Sequence, residues 1–330
     1  MKPRVVSGMR PTGKLHLGHL VGALRNWADL QTDYDCLYFV ADWHALTSEY
    51  ASTDGLTDYA YDNVADWIAT GLDPERSTLF VQSLVPEHAE LFLLLSMVVP
   101  TPWLERVPSY KEQIEQLATK DLTTLGFLGY PLLQGADIIM YNAHYVPVGE
   151  DQVPHLEFTR EVVRRFHGFF GELFVEPKPL LTHFPRLPGL DNRKMSKSYN
   201  NTIDLSDTAE AVKAKVMRMY TDPKRIRADI PGTVEGNPVF LYHDAFNPDA
   251  AEVEDLKIRY RAGTVGDVEV KQKLVRAITA VLDPIRERRE AVLADSGRIR
   301  DILFEGSRRA RAIATETMAR VREAVKVSYR

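Results

Sequence analysis

Cysteine is all but missing: the 330-residue chain has one, Cys36. A lone thiol excludes an internal disulfide framework, a multi-cysteine zinc site and a cysteine-held iron–sulfur cluster, and it suits a reducing compartment. Long apolar runs are missing as well. Those near the start are too short for a signal peptide, and Leu91 to Val99 is too short to cross a bilayer. A soluble, cytoplasmic protein without a membrane partner is the expectation. No residue class is extreme: 45% hydrophobic, 26% charged, 19 Gly and 19 Pro exclude collagen, coiled coil and wholesale disorder. Internal repeats and low-complexity tracts are absent too.

What is present is length and an uneven charge. At 330 residues the chain is about twice the usual domain size, which fits one large domain with an appendage or two unequal domains. The net charge of −5 argues against a general nucleic-acid coat, yet it hides an asymmetry. Leu256 to Arg330 carries 18 Lys and Arg against 10 Asp and Glu, a balance of +8, so Met1 to Asp255 carries 23 against 36, or −13. Such a tail is either a solvated helical face or a basic module for a phosphate backbone.

The first two-thirds alternates short β-branched or aromatic runs with longer amphipathic stretches, the pattern of a parallel sheet wrapped by helices. Strands are expected at Arg4–Ser7, Cys36–Ala41, Thr78–Gln82 and Tyr145–Val148, and helices at Leu17–Leu30, Leu56–Thr70 and Asp151–Phe166. Val107 to Tyr130 has helical composition and is expected to insert between two halves of the sheet. After Thr182 the stretch HFPRLPGLDNRKMSKSYNN is rich in Pro, Gly, Asn and charge, and it reads as a long surface loop. From Thr208 helical patterns dominate, with turns at 231–238 and 261–267. The expected fold is α/β: a Rossmann-like parallel-sheet nucleotide-binding domain over 1–205 and a smaller all-α domain over 206–304. A final helix over about 305–330 is expected to pack back on the sheet.

Ser7-Gly8-Met9-Arg10-Pro11-Thr12-Gly13-Lys14-Leu15-His16-Leu17-Gly18-His19 follows a predicted strand and opens a predicted helix. That order makes an anion site, because backbone N–H groups and the positive end of the helix dipole face the carboxyl end of the strand. Gly8 would let a substrate lie against the strand, and Gly18 would let a flat base approach the helix. His16 and His19, three apart, share one face and can donate to phosphate oxygens. The plainer alternative is two exposed histidines in a tight turn.

Lys194-Met195-Ser196-Lys197-Ser198 sits in the long loop, with two ammonium groups three apart and flanking hydroxyls. A basic surface loop is the plain reading, but five specified residues arise by chance in about one chain of this length in ten thousand. Together the two segments resemble the HIGH-type and KMSKS signatures of class I aminoacyl-tRNA synthetases. Gly129-Tyr130-Pro131-Leu132-Leu133-Gln134-Gly135-Ala136-Asp137-Ile138, followed by Val146-Pro147-Val148-Gly149-Glu150-Asp151-Gln152, resembles the tryptophanyl-tRNA synthetase family of bacterial type. The resemblance runs nearly the whole length, through Val81-Gln82-Ser83, Leu104-Glu105-Arg106 and the final helix.

The resemblance implies tryptophan activation with ATP to an adenylate plus pyrophosphate, then transfer to the 3′ end of tRNA(Trp). It implies Mg2+ arriving with ATP, and a homodimer whose helical domain binds the anticodon. For tryptophan it implies Asp137 on the indole N–H, Val6, Gly8 and Gln134 along the ring, Tyr130 and Gln152 on the α-ammonium, and Val146 and Val148 beside them. For ATP it implies Arg10, Pro11, Thr12, Gly18 and His19 around adenine and phosphates. Gly149, Glu150 and Asp151 are assigned to the ribose, Leu187 to the base, and Lys111, Lys194 and Lys197, with Met195, Ser196 and Ser198, to the phosphates. His16, His19, Lys111, Lys194 and Lys197 are the expected catalytic group.

This chain departs from many bacterial members, which have Gln in place of Arg10 and Thr and Asn in place of His16 and His19. Some relatives carry four cysteines for an iron–sulfur cluster where Arg259 to Lys273 has none. Three alternatives remain. A tyrosyl enzyme shares the architecture, but usually has a Gly-Ser-Asp-Gln type of segment in place of Gly149-Glu150-Asp151-Gln152. A small nucleotidylyltransferase uses a His-x-Gly-His turn without a helical extension, and a non-catalytic paralogue would not need Lys194, Lys197, Asp137 and Asp151 intact. The run Leu91 to Val99 serves either a subunit interface or the core.

Overall fold

The computed structural model describes residues 2–108, 110, 122–181, 187–195 and 199–329. Lys111, Ser196, Lys197 and Ser198 of the expected site lie outside them, as does the middle of the expected insertion. The chain divides into two compact units. One comprises Met1–Gly13, Asn26–His183 and Val292–Arg330, and the other Lys14–Arg25 and Phe184–Ala291.

The first unit holds five parallel strands: β1 (Arg4–Met9), β2 (Asp35–Val40), β3 (Ser77–Val81), β4 (Tyr145–Val148) and β5 (Lys178–Leu181). They lie in the order β3-β2-β1-β4-β5, so chain direction of travel reverses between β1 and β4. Sheets of this kind bind ligands outside the carboxyl ends of the strands at which the order reverses, here β1 and β4. The four expected strands are present within two residues of their expected ends. β5 went unanticipated because it is a four-residue edge strand containing Pro179, which cannot donate to a ladder and blurs the pattern.

Central strand β2 is buried from Cys36 to Val40 and β1 at Val5 and Val6, and these stretches read as apolar runs. On one side the core joins Val6, Leu37, Phe39 and Phe80 to Leu91 and Leu95 of helix Glu87–Ser96 and to Leu132 and Ala136 of helix Leu125–Ile139. The last of these helices begins inside the stretch expected as an insertion and runs on to lead into β4. The closing helix, Ser296–Ala324, covers the edge strand β3: a Cβ on Gly306 would fall 1.8 Å from the Leu79 carbonyl oxygen, and Val81 N donates to Ser307 Oγ at 3.2 Å. An otherwise open sheet edge is closed in this way. Arg311 and Arg322 of that helix pair with Glu87 and Glu90 at 2.9 and 2.5 Å.

The second unit is mostly helical, with Ala209–Met217, Pro238–Phe246, Ala250–Ala262 and most of Asp267–Leu293. Gly263 ends its helix at φ +68, and a Cβ there would fall 2.5 Å from the Asp229 carbonyl oxygen. Arg225, fully buried, donates to the carbonyls of Ala228, Ile230 and Val265 and lies 3.3 Å from Asp267, so it ties the 222–232 turn to the helices. Lys271 is buried too. Its ammonium donates to the carbonyl of Met219 at 2.7 Å and to Thr221 at 2.8 Å, capping the chain beyond Ala209–Met217. No described helix is long and apolar enough to cross a membrane.

Candidate active site

The expected site residues fall into two groups, one in each unit. In the sheet unit, β1 and β4 pair in parallel from Val5 and Tyr145, so Gly8 and Val148 leave the same edge of the sheet. From β1 the chain continues into Arg10, Pro11 and Thr12, with Thr12 N bonded to the Arg10 carbonyl at 2.9 Å. Gly13 follows at φ +122, a conformation open to glycine. Arg10 is within electrostatic reach of Glu49 and Tyr130. From β4 the chain turns through Gly149 into the short helix Glu150–Gln152. A Cβ on Gly149 would fall 2.8 Å from Asp151 Oδ1, and Gln152 donates to Asp151 at 3.2 Å. Asp151 and Glu150 are exposed; Val6 and Val146 belong to the core.

Gly8 has a packing reason besides the expected one. A side chain there would meet the Phe39 ring of β2 at 2.4 to 2.8 Å, so its missing Cβ is filled by that ring.

Tyr130, Gln134 and Asp137 recur at intervals of four and three along helix Leu125–Ile139 and therefore share one face. Asp137 is the buried end of this stripe, 1% exposed. Three side chains converge on its carboxylate. Gln82 Nε2 donates to both oxygens at 2.9 Å, His44 Nε2 lies 2.8 Å from Oδ2, and His88 Nδ1 lies 2.6 Å from Oδ1. An ionised carboxylate only accepts, so both histidine nitrogens carry protons. Burial alone would push the Asp137 carboxyl up, but the adjacent His88 and His44 outweigh it and hold it below the ordinary range. Behind this cluster, His88 Nε2 is 2.6 Å from the Tyr141 hydroxyl.

Backbone placement explains the convergence. Asp42 Oδ1 accepts from Trp43 N at 3.0 Å and Ser83 N at 3.1 Å, joining the turns that follow β2 and β3. That bridge sets His44 beside Gln82, at the same sheet edge as Gly8. His44 and His88 carry no local motif, and Gln82 is marked in the sequence only as part of Val81-Gln82-Ser83.

In the helical unit, His16 caps helix Leu17–His19. Its Nδ1 accepts from Gly18 N at 3.2 Å while His19 Nδ1 accepts from His16 N at 3.1 Å, a reciprocal capping box built from two histidines. With Nδ1 accepting, a neutral ring carries its proton on Nε2, which suits donation to an anion. The expected helix Leu17–Leu30 continues through a π-turn, Leu20–Leu24, before Arg25–Leu30.

The loop bearing Lys194 and Met195 meets this turn. A Cβ on Gly18 would fall 2.9 Å from Met195 Sδ, so the glycine admits the loop's methionine as well as the His16 ring. Lys194 is exposed and its backbone bridges Pro188, next to the buried Leu187. Asn201 braces the loop, donating to Asp191 Oδ1 at 2.8 Å and to the Lys194 carbonyl at 3.1 Å. A Cβ on Gly189 would fall 2.0 Å from Asn201 Nδ2, so this brace requires glycine.

Comparison with known proteins accords with this arrangement. The sequence pattern described as tRNA synthetases class I (W and Y) matches residues 1–283. The tryptophan–tRNA ligase of Thermotoga maritima is 48% identical over 327 residues, covering 99% of this chain and 100% of that protein. That of Treponema pallidum is also 48% identical, covering 99% and 98%. Among solved structures, tryptophanyl-tRNA synthetase from Campylobacter jejuni complexed with ADP and tryptophan superposes with a TM-score of 0.86 at 32% identity, over 98% of this chain and 99% of that one. Tyrosyl-tRNA synthetase from Archaeoglobus fulgidus is more distant, at 25% identity and a TM-score of 0.67 over 87% and 90%. The chain belongs to the tryptophanyl branch of the class I (W and Y) tRNA synthetase family.

Proposed function

We propose that this protein activates L-tryptophan with ATP and transfers it to the 3′ end of tRNA(Trp). The observation that carries this reading is the 48% identity over essentially the whole chain with tryptophan–tRNA ligases. In the first step a carboxylate oxygen of tryptophan bonds to the α-phosphorus of ATP as the bond to pyrophosphate breaks. The attacking carboxylate is already ionised, so no protein nucleophile is required, and the protein contributes position and charge. In the second step the terminal adenosine of the tRNA takes the aminoacyl group and AMP leaves.

Tryptophan lies along Gly8 and Gln134, with its α-ammonium at Tyr130 and Gln152. Its indole N–H is read by Asp137, since a buried N–H without an acceptor is expensive and a carboxylate is a strong acceptor. Of the donors already on Asp137, His44 alone has appreciable exposed side-chain surface, 12% against 0% for His88. The indole therefore enters at Oδ2, the oxygen His44 now holds. ATP is held by Arg10, Thr12 and Gly18, with Asp151 on the ribose and Leu187 at the base. His16, His19, Lys111, Lys194 and Lys197 meet the phosphates, and Mg2+ comes with the nucleotide as part of the substrate.

The helical domain over 206–304 takes the anticodon, and the protein acts in the cytoplasm. A homodimer is supported by helix Glu87–Ser96 and its end: Leu91 and Leu95 are buried, whereas Leu93 and Met97 are 53% and 71% exposed. ATP–pyrophosphate exchange with each of the twenty amino acids tests the assignment. Exchange should depend on tryptophan, and exchange driven by tyrosine or by no amino acid would overturn it.

A further inference from the structure

Four buried polar side chains converge behind the indole-reading position, and only Asp137 has so far been given a task. His88 is fully buried, with Nδ1 2.6 Å from Asp137 Oδ1 and Nε2 2.6 Å from the Tyr141 hydroxyl. We propose that His88, oriented by Tyr141, is a positioning residue for tryptophan selection: it holds Asp137 Oδ1 inward so that Oδ2 alone faces the amino acid. The proposal rests on the reading that Asp137 accepts the indole N–H.

Tyr141 orients the His88 ring. Burial, with Asp137 and Glu87 close by, pushes its phenol well above the usual tyrosine range, so the hydroxyl keeps its proton. It therefore can donate to His88 Nε2, which leaves the ring proton on Nδ1, facing Asp137. Each polar atom of the chain from phenol to carboxylate then has a partner. Phe39 and Phe80 lie against the His88 ring with centroids 6.1 and 6.3 Å away, restraining it. Tyr141 is anchored in turn: Arg4 donates to its carbonyl at 2.6 Å.

The two carboxylate oxygens of Asp137 differ in their partners. Oδ1 receives His88 and Gln82, both buried beyond the reach of a ligand, while Oδ2 receives Gln82 and the partly exposed His44. The carboxylate can rotate only if it breaks the bond to His88. Partners one shell out commonly fix the orientation and tautomer of a reading group in this manner.

Pyrophosphate exchange with tryptophan and with its benzothiophene analogue, which lacks the N–H, separates this role from packing. His88→Leu should raise the KM for tryptophan about tenfold, the effect of weakening one hydrogen bond to a charged group. It should leave kcat and the analogue's KM within about twofold. His88→Asn, whose amide nitrogen reproduces the Nδ1 donor, should restore most of the tryptophan KM, whereas His88→Gln, which reproduces the Nε2 position, should not. Tyr141→Phe should raise the tryptophan KM about threefold, by loosening the ring, and leave the analogue unchanged.

Equal shifts for tryptophan and analogue would overturn the proposal, as would an unchanged ratio of the two KM values in Tyr141→Phe. If His88→Leu does not fold, His88→Asn, His88→Gln and Tyr141→Phe still decide it. A wild-type protein that fails to distinguish tryptophan from the analogue would instead overturn the reading of Asp137.

Discussion

The buried cluster around Asp137 and the exposed loop around Lys194 are built on opposite principles. Asp137 is buried, carries three donors on two oxygens and sits on helix Leu125–Ile139, which leads into β4. Lys194 is exposed, on a loop held mainly through its backbone and Asn201. A neutral indole must be told from other rings by one N–H, and that needs acceptors set before the ligand arrives. Phosphates carry ample charge, and what matters there is bringing cations to bear as charge develops at the α-phosphorus. On the proposed reading, recognition and catalysis thus fall to different parts of the chain, one buried and one exposed.

The largest effect should come from the loop. Lys194→Ala and Lys197→Ala should each slow adenylate formation by about a hundredfold or more, the size expected on removing one preorganised electrostatic donor. Tryptophan affinity measured at equilibrium should stay nearly unchanged. Parallel losses in affinity and rate would erase the contrast, because the loop would then be part of recognition.

The reverse is expected at the buried cluster. Asp137→Ala should weaken tryptophan about ten- to a hundredfold, the loss of a hydrogen bond to a charged partner at about 1.5–3 kcal/mol, with a smaller change in the KM for ATP. Because three donors lose their acceptor, the variant should also melt at a lower temperature. Double-mutant cycles against the analogue without the N–H isolate the indole term from that structural loss. An analogue weakened as much as tryptophan would show Asp137 acting through packing alone.

These contrasts were unequally legible in the sequence. β1 to β4 were visible because parallel strands read as apolar runs between helical stretches, and the Lys194 segment because its residues are contiguous. The partners of Asp137 were not, since His44, Gln82 and His88 come from three elements that meet only when the sheet forms. A lone histidine in an apolar stretch such as Val85 to Leu95 carries no local sign of its partner. The nearest signal was Gln82, a polar residue at the end of a strand within a segment that resembles the family. The same limit affects the basic tail: Lys271, counted there as a charge for RNA, is spent on backbone carbonyls, and Arg286 donates to the Asp207 carbonyl at 2.9 Å.

That correction changes which residues test tRNA binding. Lys213, Lys273 and Arg276 line a recess of about 560 Å³ on helices Ala209–Met217 and Asp267–Leu293, and the Arg276 side chain is 72% exposed. Arg276→Glu should weaken tRNA binding and lower the slope of log affinity against log salt by about 1, the share of one phosphate contact. Lys271→Met should leave the slope unchanged and act on stability. Tryptophan activation without tRNA should respond to neither. A slope that falls with Lys271→Met but not with Arg276→Glu would place the RNA elsewhere.

The smallest effect sharpens the comparison at the base of the loop, where Asp191 accepts from Arg193 N, Arg193 Nε and Asn201 Nδ2. Partial burial would raise the Asp191 carboxyl, but the hydrogen bonds from Asn201 and Arg193 outweigh it and bring it from 3.8 to about 2. A carboxyl with a depressed folded-state pKa stabilises the folded form fully above its unfolded value, and that contribution disappears as pH falls through the folded one. The brace's contribution to stability should therefore be full at pH 5 and fade between about pH 4 and 2, with the carboxylate itself protonating near 2. Carbon-13 titration of the Asp191 carboxyl should show a midpoint near 2, and Arg193→Ala should move it toward 3.8. Because Asp191 is about a third exposed, solvent screens most of this interaction and the global melting temperature should shift only slightly. A midpoint already near 3.8 in the wild-type protein would mean that the brace is not formed in solution, and that Lys194 is held by less than Asp191 and Asn201 together.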